Sequence, residues 1–512
     1  GLPGGRRGRR STWLYHRLND LRSSILRQAP CPNSNGLPSP PPAGRNRHNG
    51  TLPRPGAQRQ GAHGIFGHVP SMPDRRLVIQ VFDRSHRHRV RAYGLRLRRR
   101  AHQRGALQPG SHACRASLAD GALYVVTQVV AALLAAPCCW GMIRKEAAGY
   151  AMAHPNTRDT SLYLCEFLIT FALCSVVLLT ATAKGQAGNS FFGLAIGFTV
   201  LSGAVSVGAI SGGAFNPAVG TMSLLYGRKP AWSVLAYWVA PLCGGAVAGG
   251  FFRVVAPEAP PLEESTASPK ERDERGKADA PSSENSQDLT TSDMLAKCLV
   301  ELVGTTLLCF TVGTARGGLA PLAIGAMLMV MVYMGGWISG GHFNPAVTLA
   351  VWARSLFGAT HGVFPLAQAA LYIVAQTGGA SLGALAAAGA LARKDAVLFP
   401  APSEKTPVGL ALLGEFLGTF LLAYVVLHTA TAKRTSGNSY FGLAIGMTVT
   451  AMACCIGPVT GGAFNPAVGT MGFIVRGRTD LWIYWLACPL GGLLAAVCFR
   501  LQSAEDFPEA VE

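Results

Sequence analysis

The residues with the clearest chemical potential form a short motif, Asn-Pro-Ala, that occurs three times. The nine residues from Gly212 to Gly220 recur unchanged from Gly461 to Gly469, and a close relative lies within Ile338–Leu349. Asn is a good helix N-cap and Pro is favoured at the first helical position, so each motif predicts a helix start. Each copy lies between long apolar segments, where a polar cap at membrane depth is costly unless it faces water. The three motifs are Asn216, Pro217 and Ala218; Asn344, Pro345 and Ala346; and Asn465, Pro466 and Ala467.

Acidic side chains inside the apolar segments are the second group of candidates. Glu301 and Glu415 each lie near the start of such a segment, and intramembrane acids are rare enough to suggest a role. We interpret them, together with Glu166, as braces for the loop backbone rather than as proton carriers. His342, beside the second motif, is interpreted as a loop-packing residue rather than as a ligand or gate.

The sequence does not indicate an enzyme, because no combination of nucleophile, base and metal ligands accompanies these residues. The 13 Cys are scattered without metal or redox spacing, and we interpret them as small buried apolar residues. We expect no metal and no other cofactor.

The composition is that of a membrane protein. Hydrophobic residues make up 49% of the chain, which has 61 Gly and a mean hydropathy of +0.28; this predicts an all-α, multi-pass integral membrane protein. The net charge of +19 is concentrated in residues 1–118, with 23 Arg, 3 Asp and no Lys or Glu. The rest of the chain is nearly neutral, so membrane lipid, and not nucleic acid, is the expected partner.

Residues 1–118 have the composition of a disordered basic arm, but Arg without Lys is unusual. A one-nucleotide shift of reading frame offers another origin. In that frame His102–Ala113 can encode ISGAHFNPAVTL, Ala92–Ala101 can encode LMGYVYGGAH, and Gly64–Met72 can encode EFLGTFLLC; these follow the order of Glu301–Leu349. Our hypothesis is that the arm is a frame-shifted translation of two membrane helices and one Asn-Pro-Ala loop.

Several apolar segments have the length of about 20 residues that crosses a hydrocarbon core. They are Leu123–Ile143, Ser161–Ala183, Phe191–Ile210, Trp232–Phe252, Lys297–Thr314, Ala320–Trp337, Phe364–Leu391, Gly409–Thr431, Phe441–Gly457 and Leu481–Leu501. The shorter segments Ala346–Leu356 and Ala467–Val475 predict half-helices that begin at motifs.

The chain contains a tandem duplication. Gly188–Gly197 recurs as Gly437–Gly446, 249 residues later, and Leu123–Gln128 resembles Leu371–Gln376. The first copy matches only the rear part of the second. We therefore predict a partial module at residues 119–255, a flexible polar linker at 256–294, a complete module at 295–502 and a tail at 503–512.

A smaller repeat lies within the complete module. Glu301–Thr305 opens its first half and Glu415–Thr419 opens its second, and each half has three spans. An odd number of spans forces the halves into opposite orientations, which places a site at the membrane midplane. Half-helices capped by Asn344 and Asn465 would meet there, where their dipoles repel cations and their amides can donate to a passing oxygen. This predicts passage of neutral molecules.

These features resemble the aquaporins, the major intrinsic protein family. The resemblance covers Lys297–Leu501, with both motifs, the Glu residues that open the halves and the Leu-Ala-Ile-Gly of the fifth span; residues 119–255 resemble the rear two-thirds of another member. The resemblance implies a bundle of six helices and two half-helices per module, cytosolic termini, and a tetramer of modules with one pore each. If the first module were complete, two chains would form that homo-oligomer.

The position after the last motif departs from the family. Most members have an Arg there that narrows the outer filter, whereas Val468 and, in the first module, Val219 hold it here. When the filter positions of the family are counted along this sequence without gaps, the remaining ones fall on Ile324, Ala453 and Gly462, and on Ala204 and Gly213 in the first module. All are small or apolar, which predicts a wide filter unless the count slips or another side chain fills the gap.

The leading interpretation is a passive channel for water and small neutral solutes such as glycerol, urea and ammonia. One alternative is a solute facilitator with little water flux. Another is a non-conducting structural or assembly membrane protein. Secondary transport is disfavoured, because no intramembrane carboxylate other than the bracing Glu residues is available for a substrate site.

Overall fold

A computed structural model gives the fold of most of the chain after the basic arm. It describes residues 118–142, 157–222, 234–257, 291–359 and 361–507. Eight of the described helices are long and apolar enough to cross a membrane, and these ranges contain helices and connections without strands. The predicted all-α polytopic fold is confirmed. The reading-frame hypothesis and most of the predicted linker lie outside the described residues.

The first module has four long helices and one half-helix within the described residues. They are α1 (Leu118–Met142), α2 (Asp159–Val176), α3 (Phe192–Ser211), the short α4 (Pro217–Thr221) and α5 (Val234–Val255). A π-helical turn at 177–182 extends α2. The long helices coincide with the four spans predicted for this part of the chain.

The second module has six long helices and two half-helices. They are α6 (Thr291–Thr314), α7 (Ala320–Ser339), the half-helix α8 (Pro345–Leu356), α9 (Leu366–Ala390), α10 (Val408–Val426), α11 (Phe441–Cys455), the turn α12 (Gly457–Thr460), the second half-helix in two pieces, α13 (Pro466–Gly469) and α14 (Met471–Arg476), and α15 (Trp482–Gln502). Helix α6 begins inside the predicted linker, and Asp293 in its first turn complements the helix dipole.

The fifth span of the second module is shorter than predicted. The segment Phe441–Gly457 was expected to be one helix, but α11 ends at Cys455 and α12 follows as a separate turn. Pro458 cannot donate the backbone hydrogen bond of a continuous helix, and its ring clashes with the carbonyl one turn earlier. The equivalent helix α3 has Ala209 at that point and continues to Ser211.

Glycines allow the long helices to cross in pairs with their backbones in contact. A Cβ atom on Gly379 of α9 would lie 2.5 Å from a carbonyl oxygen of α6, and one on Gly491 of α15 would lie 2.3 Å from a carbonyl oxygen of α10. Helices α7 and α11 cross at Gly325 and Gly446. A Cβ atom on either glycine would lie 2.4 Å from the carbonyl oxygen of the other. Small residues permit such approaches in lipid. The two halves therefore pair their helices in the same way, as an inverted repeat requires.

The two modules are neighbours through long helices. Phe191, at the start of α3, stacks on Tyr333 of α7 with ring centroids 4.2 Å apart. Further along, Ser202 Oγ donates a hydrogen bond to the carbonyl oxygen of Ala323 over 2.9 Å. Helix α3 thus covers an outer face of α7 in the second module.

Candidate pore

The half-helices α8 and α13 begin at two of the motifs, and each N-cap contacts the other loop. Asn344 and Asn465 each accept, through Oδ1, the backbone N–H two residues on, at 2.9 and 3.0 Å. The Nδ2 atom of Asn344 donates to the carbonyl oxygen of Phe464 over 2.8 Å, and Nδ2 of Asn465 donates to that of Phe343 over 2.8 Å. Because an amide nitrogen carries two hydrogens, each Asn keeps one N–H for another acceptor.

Both phenylalanines before the motifs have an unusual backbone conformation. Phe343 and Phe464 each have a φ of 49°, which costs a bulky residue about 1–3 kcal/mol. Their rings are buried against glycines of the long helices; a Cβ atom on Gly304 would lie 2.2 Å from the Phe343 ring, and one on Gly418 would lie 2.3 Å from that of Phe464. The turn directs each Phe carbonyl oxygen toward the opposite Asn.

The acidic residues that open the two halves hold these turns. Glu301 accepts the N–H groups of Phe343 (2.6 Å) and of the residue before it (2.9 Å). Glu415 accepts those of Phe464 (2.7 Å) and of the residue before it (3.1 Å). A nearby hydroxyl donates to each carboxylate, at 2.7 and 2.6 Å. Both carboxylates are fully buried and satisfy loop N–H groups that cannot reach water at membrane depth.

His342 packs within the first loop. Its Nδ1 atom lies 3.2 Å from Thr348 Oγ1, and its ring contacts those of Phe364 and Tyr372 at centroid distances of 5.0 and 5.4 Å. These contacts are consistent with a loop-packing residue. His342 also borders the cavity between the half-helices.

A cavity of about 320 Å³ connects the half-helix caps with the connections at one end of the bundle. Both Asn344 and Asn465 line it. So do all four residues assigned to the filter of this module, which are Ile324, Ala453, Gly462 and Val468. The described lining residues include no Asp, Glu, Lys or Arg. The cavity therefore has an uncharged wall with two amide donors near its inner end.

Part of this wall was missed from the sequence. Leu398, Phe399 and Pro400, in the connection between α9 and α10, line the same cavity, as do Gly457 and Pro458. The connection offered only a short apolar run with no helical or strand period. The break at Pro458 could have been inferred, because proline interrupts a helix.

A buried ion pair lies at the other end of the module and was also missed. Asp506, just beyond α15, lies 3.2 Å from Arg354 of α8 and 2.9 Å from His361. It also accepts the backbone N–H of Lys433 over 3.0 Å. The Arg354 and Asp506 side chains are 1% and 2% exposed. One carboxylate thus joins the tail to α8 and to the connection between α10 and α11.

The same nine residues in the first module adopt the same local structure. Asn216 accepts the N–H two residues on at 2.9 Å, Phe215 has a φ of 48°, and Glu166 accepts the Phe215 N–H at 2.6 Å. Pro217 and Ala218 are buried at the start of α4. Among the described residues, no carbonyl of an opposing half-helix accepts from Asn216. The remaining filter positions of this module are Ala204, which is exposed, and the half-buried Gly213 and Val219.

Comparison with known proteins places the chain in a family. The family model described as major intrinsic protein matches residues 111–252, 199–318 and 288–499. The chain is 36% identical to the glycerol uptake facilitator protein-like 6 of Lactiplantibacillus plantarum over 225 residues, which are 41% of this chain and 100% of that protein. It is 34% identical to nodulin-26 of Glycine max over 250 residues, which are 44% of this chain and 84% of that protein.

A structural comparison gives a weaker likeness. The X-ray structure of the aquaglyceroporin from Plasmodium falciparum matches 40% of this chain and 96% of that chain, with a TM-score of 0.34 and 20% identity. The family matches, by contrast, extend over most of the chain and repeat along it. The chain therefore belongs to the major intrinsic protein family, and the match repeats because its module is duplicated.

Proposed function

We propose that the second module is a passive channel for water and small neutral solutes, among them glycerol, urea and ammonia. The observation that carries the proposal is the single cavity that both motif Asn residues and the four filter residues line. Its uncharged wall suits neutral permeants. The names of the relatives, one of them a glycerol uptake facilitator-like protein, also favour this class.

Asn344 and Asn465 would act as donors to the permeating molecule. Each uses one amide N–H to bind the opposite loop, which fixes the direction of the other N–H. A water or hydroxyl oxygen that accepts hydrogen bonds from both amides cannot also accept one from the next molecule in the line of permeants. The chain of hydrogen bonds along which protons would move is therefore interrupted. The N-terminal ends of the half-helices add positive potential at the same place and oppose cations.

The filter would discriminate mainly by size. The four filter residues provide no cation and no side-chain hydrogen bond donor; they are Ile324, Ala453, Gly462 and Val468. Entry of a polyol or urea therefore costs less free energy than it would beside a fixed guanidinium. Without that positive charge, exclusion of protons rests on the half-helices. We expect a broad range of small neutral permeants.

Stopped-flow light scattering on proteoliposomes that contain the full chain tests this proposal. An impermeant osmolyte measures water flux, and glycerol or urea gradients measure solute entry as recovery of vesicle volume. We expect fast shrinkage in the impermeant osmolyte and fast recovery in glycerol and urea, relative to empty vesicles. Water flux without recovery would contradict the wide filter, and no flux of either kind would contradict the channel.

A structural role for the first module is a second candidate, favoured by two observations. Its Asn216 meets no opposing half-helix among the described residues, and its α3 packs on α7 of the second module. We propose that this module supports the conducting one in the membrane. If the modules occupy adjacent places in a ring of four, native mass measurement gives two chains per particle, and a four-chain particle contradicts that assembly.

A further inference from the structure

The connection between α9 and α10 forms part of the wall of the cavity. Leu398, Phe399 and Pro400 line the cavity together with the filter residues. Phe399 is the one Phe, Tyr or Trp among the described lining residues. Where an Arg would narrow the filter in most of the family, this chain has Val468. The bulkiest apolar side chain in the wall therefore comes from a connection and not from a helix.

This segment lies directly against the filter. A Cβ atom on Gly461, which has a φ of 91° and precedes the filter residue Gly462, would lie 2.3 Å from the backbone nitrogen of Ala401. A Cβ atom on Gly472 of α14 would lie 3.0 Å from the Phe399 ring. Glycine at both positions gives the segment the space to approach. The Phe399 ring thus lies against the second half-helix, and Phe399 lines the cavity.

Backbone hydrogen bonds fasten the segment on both sides of Phe399. The Leu398 N–H donates to the carbonyl oxygen of Gly313, at the end of α6, over 3.0 Å. The Ser403 N–H donates to the carbonyl oxygen of Val459 in α12 over 3.2 Å, and Val397 is buried. The wall is therefore attached to the end of α6 and to the turn α12.

Three guanidinium groups bind Asp395 and Ala396, which lie a short way before this wall in the chain. Arg476, at the end of α14, donates to the carbonyl oxygen of Asp395, and Arg316, beyond the end of α6, donates to that of Ala396. Arg393 binds the Asp395 carboxylate and holds the pKa of Asp395 below its usual range. Each guanidinium has a planar set of donors that a lysine lacks. The turn at 394–396 is thus tied to two separate elements around the mouth.

We infer that Phe399 sets the size limit of the outer filter, and that Arg316 and Arg476 are positioning residues that hold its segment in the wall. This inference rests on the proposed channel function and deepens it. The four helix and half-helix positions leave a wide opening, and Phe399 closes part of it. The expected permeants are then glycerol and urea, with the longer polyol erythritol passing more slowly.

Substitutions at Phe399 in the full chain test the inference, with the ratio of erythritol to glycerol flux in proteoliposomes as the readout. Phe399→Ala is expected to raise that ratio about tenfold, the discrimination that small size differences give in an apolar site. Phe399→Trp, which enlarges the side chain, is expected to lower glycerol flux more than water flux. Phe473→Ala is the matched control, because Phe473 follows Gly472 on α14, is 51% exposed and does not line the cavity.

The positioning residues are tested with the same ratio. Arg316→Ala and Arg476→Ala are expected to move it in the same direction as Phe399→Ala but by less, and Arg476→Lys is expected to restore it only in part. A purely structural role would lower the amount of folded channel and change the fluxes of both polyols equally, which leaves their ratio constant.

The outcomes separate this inference from the proposed function. If the wild type conducts and neither Phe399→Ala nor Phe399→Trp changes any flux ratio, the inference is overturned and the channel stands. If Phe399→Ala fails to fold, the glycerol-to-water ratio of Phe399→Trp decides in the same way. If the wild type conducts neither water nor solute, the proposed function itself fails, and the inference with it.

Discussion

Asn216 and Asn465 stand in identical nine-residue segments but in different surroundings. Each caps a helix, follows a Phe with a φ of 48° or 49° and depends on a buried Glu that binds the same N–H groups. Asn465 also donates to Phe343 of the opposite loop. Asn216 has no such partner among the described residues. The local structure of the motif therefore forms from its own sequence, whereas the hydrogen bonds between two motif loops require an opposing half-helix.

The supporting contacts repeat as closely as the motif itself. Tyr237 and Tyr484 donate to equivalent carbonyl oxygens at the ends of the fifth spans, at 2.7 and 3.0 Å. Trp238 and Trp485 donate to equivalent threonine hydroxyls, both at 3.0 Å. Because the local folds agree, paired substitutions at equivalent positions separate effects on folding from effects on permeation.

The largest effect is expected from loss of the loop braces. Glu415→Ala and Glu166→Ala should each lower the free energy of unfolding by about 3 kcal/mol, since leaving a buried donor unpaired costs about 1–3 kcal/mol and each change strands two backbone N–H groups. Only Glu415→Ala should also reduce flux per folded protein. Thermal unfolding in detergent, with flux measured on the folded fraction, checks both parts. An equal loss of flux in the two variants would show that the first module conducts or controls conduction.

An intermediate effect is expected at the position after the motif. Val468→Arg should lower glycerol flux about tenfold while water flux is largely kept, because a size difference in an apolar site discriminates by at least that factor. Val219→Arg should leave both fluxes unchanged. The measurement is the glycerol-to-water permeability ratio. Unchanged glycerol flux in Val468→Arg would mean that the filter assignment is wrong.

The smallest effect is expected from the tryptophan pair. Trp485→Phe and Trp238→Phe each remove one hydrogen bond, which contributes about 1 kcal/mol to the free energy of unfolding. The two losses should agree in denaturation of the full chain, because the two bonds have the same length. A clearly larger loss at Trp485 would mean that the opposing half-helix stabilises its neighbourhood beyond the local contacts.

Much of the fold could be predicted because its signals are local. Long apolar segments predict spans, and an Asn-Pro pair predicts the start of a half-helix from two adjacent residues. Glu301 and Glu415 stand out in the sequence because acidic residues within apolar segments are rare. The inverted repeat followed from the odd number of spans in each half. All of these inferences use residues close in sequence or counts along it.

The remaining features depend on where connections run, which no periodic pattern encodes. Phe399 lines the cavity where glycines at 461 and 472 leave space for its segment, and the approach of these distant positions is visible only in three dimensions. In the sequence, Asp506 is likewise one of several acidic residues in the tail, and only the structure shows that it pairs with Arg354. The wall and the buried ion pair therefore appeared only in the structure.

The central claim of the proposed function is that permeation passes Asn465 of the second module. The most direct test is stopped-flow glycerol flux in proteoliposomes of the full chain carrying either Asn465→Asp or Asn216→Asp. Asn465→Asp replaces a donor to the Phe343 carbonyl oxygen with a charged acceptor, and losing a buried hydrogen bond costs about 1–3 kcal/mol, so flux should fall about tenfold or more. Asn216→Asp should leave flux at the wild-type level. Equal fluxes in the two variants, whether both reduced or both unchanged, would contradict the account.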